Sequence, residues 1–244
     1  MTQSLRIKVG KIRSLVDDQD LVSQNRRLLI ETATKLFRAK GYHNTSTRDI
    51  ALKAGISVGS IYQYILKKED LVVLILSSVV EIYEKAIYPL AQRKGRARDR
   101  LWDAVAVYYR TLDDHHAKTD VLYHNFSEFD ATTKRFLAEI EERVSGIIKT
   151  ILEQGVADGD FKPVNTSFAT HNIVSMGHMW ALKRGRFRDV MTIDQYIMEQ
   201  LRHLELTLLQ ERDGTTVRLP ASANGVHRKR SSRRAPARDG SSAD

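Results

Sequence analysis

The chain has 244 residues, 42% of them hydrophobic, enough to bury a sizeable core as one large or two small domains, and its formal net charge is +9. It contains no cysteine, which excludes disulfides, thiolate zinc sites and a cysteine nucleophile. The longest apolar run, residues 71–76, is far short of the roughly 18 residues of a membrane span, and the N-terminus lacks the apolar centre of a signal peptide, so a soluble, cytoplasmic protein is expected.

The charge is unevenly placed. Residues 22–82 carry nine basic and five acidic side chains and residues 212–244 carry eight and three, whereas residues 83–211 carry eighteen and nineteen. A positive front and a positive tail around a near-neutral middle are expected of a chain that meets a polyanion at one end and does something else in the middle.

Residues 1–21 are polar, with Asp17, Asp18 and Asp20 clustered, and read as an arm whose Arg6, Lys8, Lys11 and Arg13 are either solvated or placed on phosphates. A first helix is expected over residues 23–40, burying Leu29, Ala33, Leu36 and Phe37 on one stripe and stopping at Gly41.

The next stretch, residues 44–71, carries the function. Thr45, Ser46 and Thr47 can cap a short helix holding Ile50, Ala51 and Ala54, and Gly55 suits a left-handed stop. Ser57 can cap a second short helix whose inner face holds Ile61 and Ile65. Two short helices about a tight turn form a helix-turn-helix, whose second helix enters the DNA major groove. Its outer face offers Val58 for a thymine methyl, Gly59 for close approach, and Gln63 for an adenine edge. Thr47, Tyr62, Tyr64 and Lys68 have donors suited to phosphates, and Arg48 could meet a guanine or a phosphate. The same stretch spells G-x-S-x-G at Gly55 to Gly59, the nucleophile elbow of serine hydrolases, but that motif requires a preceding strand and the residues before Ser57 have a helical pattern.

At these residues the chain resembles the TetR family of transcriptional regulators. The match runs from Ala33, Leu36 and Phe37 through Gly41 and Thr45 to Ile50, Ala51, Ala54 to Ser57, Gly59, Ile61, Tyr62, Tyr64 and Lys68 to Leu71. The resemblance implies DNA contacts at Thr47, Arg48, Val58, Gly59, Tyr62, Gln63, Tyr64 and Lys68. Ile65 stands where the family usually has Phe, and Leu66 where a small or polar turn residue is usual, so the link to the next helix is expected to be built differently.

From Glu69 a helical pattern runs without interruption to Pro89, through Leu71, Leu74, Ile75, Val79, Ile82, Tyr83 and Ala86, and joins the DNA-binding part to the middle of the chain. Further helices are expected around Leu101 to Leu112, over residues 119–126, 131–156, 166–184 and 192–210. The last two carry apolar residues on more than one face, and the resemblance implies that they pair with their copies in a homodimer. No strand alternation or repeat occurs, so the fold class is all-α: a three-helix DNA-binding domain at residues 22–68 and a larger helical effector-binding and dimerisation domain at 69–211. Residues 212–244, rich in Gly, Ser, Ala and Arg, read as a basic tail too polar to pack.

The resemblance also implies a small ligand inside the second domain. Tyr108, Tyr123, Phe126, Met176, Met179 and Trp180 offer aromatic and thioether walls, and Arg184, with Lys183, Arg186 and Arg188, is either a complement to a helix end or the seat of an anionic ligand such as an acyl-coenzyme A. His171 and His178 share a helix face; His115 and His116 read as a solvated helix end against a metal site. No dinucleotide, nucleotide or zinc-protease motif appears, so nothing supports an enzyme, a cofactor or a metal. The sequence thus predicts a homodimeric repressor on a double-stranded, palindromic operator, released by a hydrophobic or acyl-coenzyme A effector; the alternative is a nonspecific DNA-coating protein driven by the basic tail.

Overall fold

A computed structural model describes residues 18–209, and among them there are ten α-helices, one 3-10 turn and no strand. The arm cations and the basic tail lie outside the described residues. Helix α1 spans Gln19–Lys40, α2 Thr47–Ala54, α3 Val58–Ile61, α4 Lys68–Gln92 and α5 Ala97–Asp114. Helix α6 spans His116–His124, followed by the 3-10 turn Phe126–Glu128; then come α7 Ala131–Ala157, α8 Thr166–Leu182, α9 Arg184–Arg188 and α10 Ile193–Leu208.

Local chemistry sets most of these limits. Helix α1 starts earlier than the arm reading expects, because Asp18 accepts the backbone N–H groups of Asp20 and Leu21 at 3.0 Å each and so caps it. It ends where Gly41, at φ 82°, donates its N–H to the Phe37 carbonyl. Ser46 caps α2 reciprocally with Asp49, and Gly55, at φ 74°, turns the chain so that the Ile56 N–H reaches the Ala51 carbonyl. Helix α4 runs through Pro89 to Gln92, three residues beyond the expected stop. Proline's fixed φ fits a helix, and in the last turn only one ladder hydrogen bond is lost.

The core has two apolar clusters. One joins Leu29, Ala33 and Phe37 of α1, Ile50 and Ala51 of α2, Ile61 and Ile65 around α3, and Leu71 to Leu76 of α4 with Leu122, Phe129, Phe136 and Ile140 from further along the chain. The other holds the second half of α4, α5, most of α7, α8 and α10. Helix α4 passes from the first to the second, so α1, α2 and α3 share a continuous core with part of the larger helical bundle. Each fully buried Leu or Ile contributes about 1.5–3 kcal/mol, which makes this shared cluster a firm joint. Helix α8 lies so close to α5 that a Cβ on Gly177 would come within 2.7 Å of Leu112 and 2.8 Å of Tyr109.

Candidate nucleic-acid interface and the cavity behind it

Helix α3 is a single turn capped by Ser57, whose Oγ accepts the Ser60 N–H at 3.0 Å. Its inner side is fixed by Ile61 and Ile65, both fully buried. Val58, Gly59, Tyr62 and Gln63 are exposed on the outside, as is Arg48 at the start of α2. The Thr47 and Tyr62 hydroxyls lie 3.0 Å apart and hydrogen-bond, tying the start of α2 to the outer face of α3. A Cβ on Gly59 would meet only the Ser57 hydroxyl, at 3.9 Å, so nothing inside the chain requires a glycine there; what its absence of side chain leaves bare is the outer face. The elbow reading of Ser57 fails on geometry, since the residue follows a helix and caps another.

Two of the expected phosphate donors point elsewhere. Tyr64 is buried, and its hydroxyl accepts from the Asn25 amide at 3.0 Å, because the turn after α3 folds it back against α1. The Lys68 ammonium donates to the Tyr42 carbonyl at 2.9 Å and sits 4.1 Å over the Tyr42 ring. The guanidinium of Arg26 donates to the Tyr64 carbonyl at 3.3 Å, closing the open end of the recognition turn. The unusual Leu66 side chain is exposed, and its turn is held by the Asp70 carboxylate, which accepts the N–H groups of Leu66 and Lys67 at 2.7 and 3.1 Å.

Behind this face α4, α5, α6, α7 and α8 enclose a cavity of about 390 Å³. Its wall is mainly aliphatic and aromatic, including Leu76, Val79 and Tyr83 of α4, Tyr108 of α5, Leu122 and Tyr123 of α6, Phe126, and Leu137 and Val144 of α7. The charged lining residues are Lys134 and Glu141. His178 of α8 bridges Tyr108 and Tyr123, with Nε2 3.0 Å from the Tyr108 hydroxyl and Nδ1 2.5 Å from that of Tyr123. Burial pushes this imidazole down to about 4, so it is neutral and carries one proton. The neutral ring accepts from one of the two tyrosine hydroxyls and donates its single N–H to the other, according to its tautomer. Tyr83 has no such arrangement: its buried hydroxyl makes no well-formed hydrogen bond, although the Thr119 hydroxyl stands beside it.

Comparison with known proteins places this architecture. Residues 29–75 match the bacterial regulatory proteins of the tetR family, and residues 94–201 match the tetracyclin repressor-like C-terminal domain. The chain is 31% identical over 219 residues to the HTH-type transcriptional regulator HbdR of Aromatoleum sp. strain CIB, a match spanning 89% of this chain and 96% of that one. The chain belongs to the TetR family. It is a DNA-binding transcriptional regulator. It is also 29% identical over 145 residues to the HTH-type transcriptional repressor KstR2 of Mycobacterium tuberculosis, covering 58% of this chain and 72% of the relative. Its fold matches AibR, solved in complex with isovaleryl coenzyme A and operator DNA, with a TM-score of 0.62 at 18% identity over 75% of this chain and 97% of AibR. TetR regulators bind operator DNA and ligands, and among the described residues no helix is long and apolar enough to cross a membrane.

Within this TetR chain the residues named from the sequence divide. Tyr108, Tyr123 and Phe126 line the cavity; Met176, Met179, Trp180 and Arg184 do not. Helical geometry explains the split: Val174 and His178, four apart, turn one face of α8 to the cavity, and Trp180 lies on the opposite side. There its indole N–H donates to Asp113 at 3.0 Å and its ring packs on Phe187 and Tyr196. Arg184 donates to the same carboxylate at 2.5 Å, which sets its charge against Asp113. Met176 is exposed on the outer side of α8. His171 is exposed, and the His116 ring bonds the Asp113 carbonyl. Sequence reasoning missed Tyr83 and Thr119 as wall residues and Asn25 and Arg26 as supports of the recognition turn; only the stripe at Val79 and Tyr83 signalled any of them.

Proposed function

We propose that this regulator is a homodimeric repressor that holds a pseudo-palindromic operator through two recognition turns and lets go when a largely apolar ligand fills the cavity. The observation that carries the reading is the position of α6. One side of it, through Thr119, Leu122 and Tyr123, lines the cavity. Its other side is bonded to the DNA-reading part: Asp120 pairs with Arg38 of α1 at 3.0 Å, and the following Asn125 accepts the Tyr42 N–H. A ligand that prefers a conformer with α6 displaced moves α1 with it, and the two recognition turns lose their register with major grooves about 34–36 Å apart. Release needs only a difference in ligand affinity between the two conformers.

Within this reading Thr47, Arg48, Val58, Gly59, Tyr62 and Gln63 face the DNA, and the chain divides into a reading part at residues 22–68 and a larger effector part beyond it. The partner subunit meets α8 and α10, where Phe168, Met198 and Leu206 are exposed. An acyl thioester is the first effector class to try, since the fold is shared with AibR, which was solved with isovaleryl coenzyme A. Nonspecific coating of DNA, the reading that rests on the basic tail, is not favoured by kinship with HTH-type transcriptional regulators.

The experiment is selection of bound DNA from a random pool, followed by footprinting with and without acyl thioesters. A short symmetric protected site, lost on adding ligand, is expected. Protection without sequence preference would return the coating reading, and a protected site indifferent to every cavity ligand would remove the effector.

A further inference from the structure

The cavity wall is apolar apart from a few oxygens and nitrogens, and most of these already have partners. Tyr108 and His178 satisfy one another, and the second ring nitrogen of His178 is taken by Tyr123. Tyr83 is the exception. Its ring lines the cavity, the residue is 5% exposed, and its buried hydroxyl makes no well-formed hydrogen bond, with only the Thr119 hydroxyl, itself a lining group, close enough to interact weakly. A buried hydroxyl left unpaired is destabilising, and the cost is recovered when an acceptor arrives. The adjacent Tyr108 ring stands edge-on at 5.3 Å between centroids and does not supply one. The charged lining residues carry one sign each, and the Lys134 ammonium is engaged by the Ser127 carbonyl at 3.0 Å.

We propose that Tyr83 reads the enclosed part of the effector by donating a hydrogen bond to a neutral oxygen, a carbonyl or a hydroxyl, set in an otherwise hydrocarbon body. The inference rests on the effector reading above and names the chemistry that the cavity selects. A pure hydrocarbon leaves the Tyr83 hydroxyl unpaired with ligand in place. An ionised carboxylate loses its water and shares the lining with Glu141, against the single cation Lys134. A neutral oxygen avoids both costs, and hydrogen-bonding sites of this kind discriminate strongly against analogues that lack the group. Tyr123 is a second lining hydroxyl, nearer the outside and already bonded to His178.

The test is calorimetric binding of four probes of similar shape, phenylcyclohexanone, phenylcyclohexanol, cyclohexylbenzene and cyclohexylbenzoate, to the full chain and to Tyr83→Phe. The ketone, the alcohol or both are expected to bind the unaltered chain about tenfold more tightly than the hydrocarbon, and the substitution to abolish that preference without changing hydrocarbon affinity. Which of the two gains more decides between carbonyl and hydroxyl. The melting temperature of unliganded Tyr83→Phe is expected to stay level or rise, since the variant removes an unpaired group. Equal binding of ketone, alcohol and hydrocarbon to the unaltered chain overturns the proposal without recourse to any variant; so do no binding by either oxygenated probe, tightest binding by the carboxylate, or a preference that survives in Tyr83→Phe. Operator release is scored separately: a Tyr83-dependent preference with no release by any probe or acyl thioester keeps this proposal and removes effector control, whereas release without a Tyr83-dependent preference does the reverse.

Discussion

Asn125 accepts the backbone N–H of Tyr42 on its Oδ1 at 3.0 Å, and both residues are buried. The bond joins the end of a helix that walls the cavity to the loop that follows α1, and the Asn125 amide is oriented for it by donating to the Val121 carbonyl at 2.7 Å. Tyr42 in turn donates its hydroxyl to Glu69 at 3.1 Å at the start of α4 and packs edge-on against Phe37 and Phe129. Asn125→Ala is expected to leave the Tyr42 N–H unpaired and cost about 1–3 kcal/mol, read as a lowered melting temperature. It should also shrink the ratio of operator affinities measured without and with effector. An unchanged ratio would mean that the two sites communicate elsewhere.

At the outer face, Gly59→Ala should leave the fold as stable as before or slightly more so, because the site is open and alanine favours a helix by about 1 kcal/mol over glycine. Operator affinity should nevertheless fall. Gln63→Ala is expected to change base preference at one operator position by about 1–3 kcal/mol, whereas Tyr62→Ala should weaken binding to all sequences alike. Binding to a panel of single-base operator variants separates these outcomes.

The buried His178 predicts an acid dependence of stability. Its folded pKa is lowered by burial to about 4 from an ordinary 6.5, so between those values the unfolded chain binds a proton that the folded chain refuses. Stability from this residue is therefore undiminished above the unfolded value, falls as pH drops through the interval, and levels off below the folded value, for a total loss of up to about 3 kcal/mol. Thermal melts of the unaltered chain and His178→Gln should converge as the pH is lowered across that window. A constant gap between them would contradict a neutral buried imidazole.

The α8 and α10 faces predict the oligomer. Phe168 is 64% exposed and Met198 53% exposed, large apolar side chains left uncovered within one subunit. Phe168→Glu is expected to yield monomers in sedimentation and to lose the symmetric footprint while the helix content by circular dichroism is kept. A dimer that tolerates the glutamate puts the interface on another surface.

Asp113 holds Trp180 and Arg184 together, and although burial works against its charge, the hydrogen bonds from Arg184 and Trp180 keep its carboxyl below the usual carboxylate range. Asp113→Ala should cost about 1–3 kcal/mol by leaving the Trp180 N–H unpaired, and Arg184→Ala should lower stability too. Neither is expected to change ligand affinity, because neither residue lines the cavity. A large loss of acyl thioester binding in Arg184→Ala, with the fold intact, would bring that cation back into the site.

By itself the sequence determined what depends on neighbours along the chain. Caps at Ser46 and Ser57, the left-handed stop at Gly55 and the buried stripe of α1 are local rules of geometry and burial, so the helix-turn-helix and its outward residues could be read directly. Tertiary structure decided the rest. Tyr64 and Lys68 look like surface donors until Asn25 and Tyr42, distant in sequence, are seen to engage them. Trp180 and His178 stand two apart on one helix, and composition cannot say which of them meets a cavity and which meets Asp113. An aromatic residue buried in a core and one lining a hollow have the same pattern in a sequence; only the packing of five helices around an unfilled volume distinguishes them.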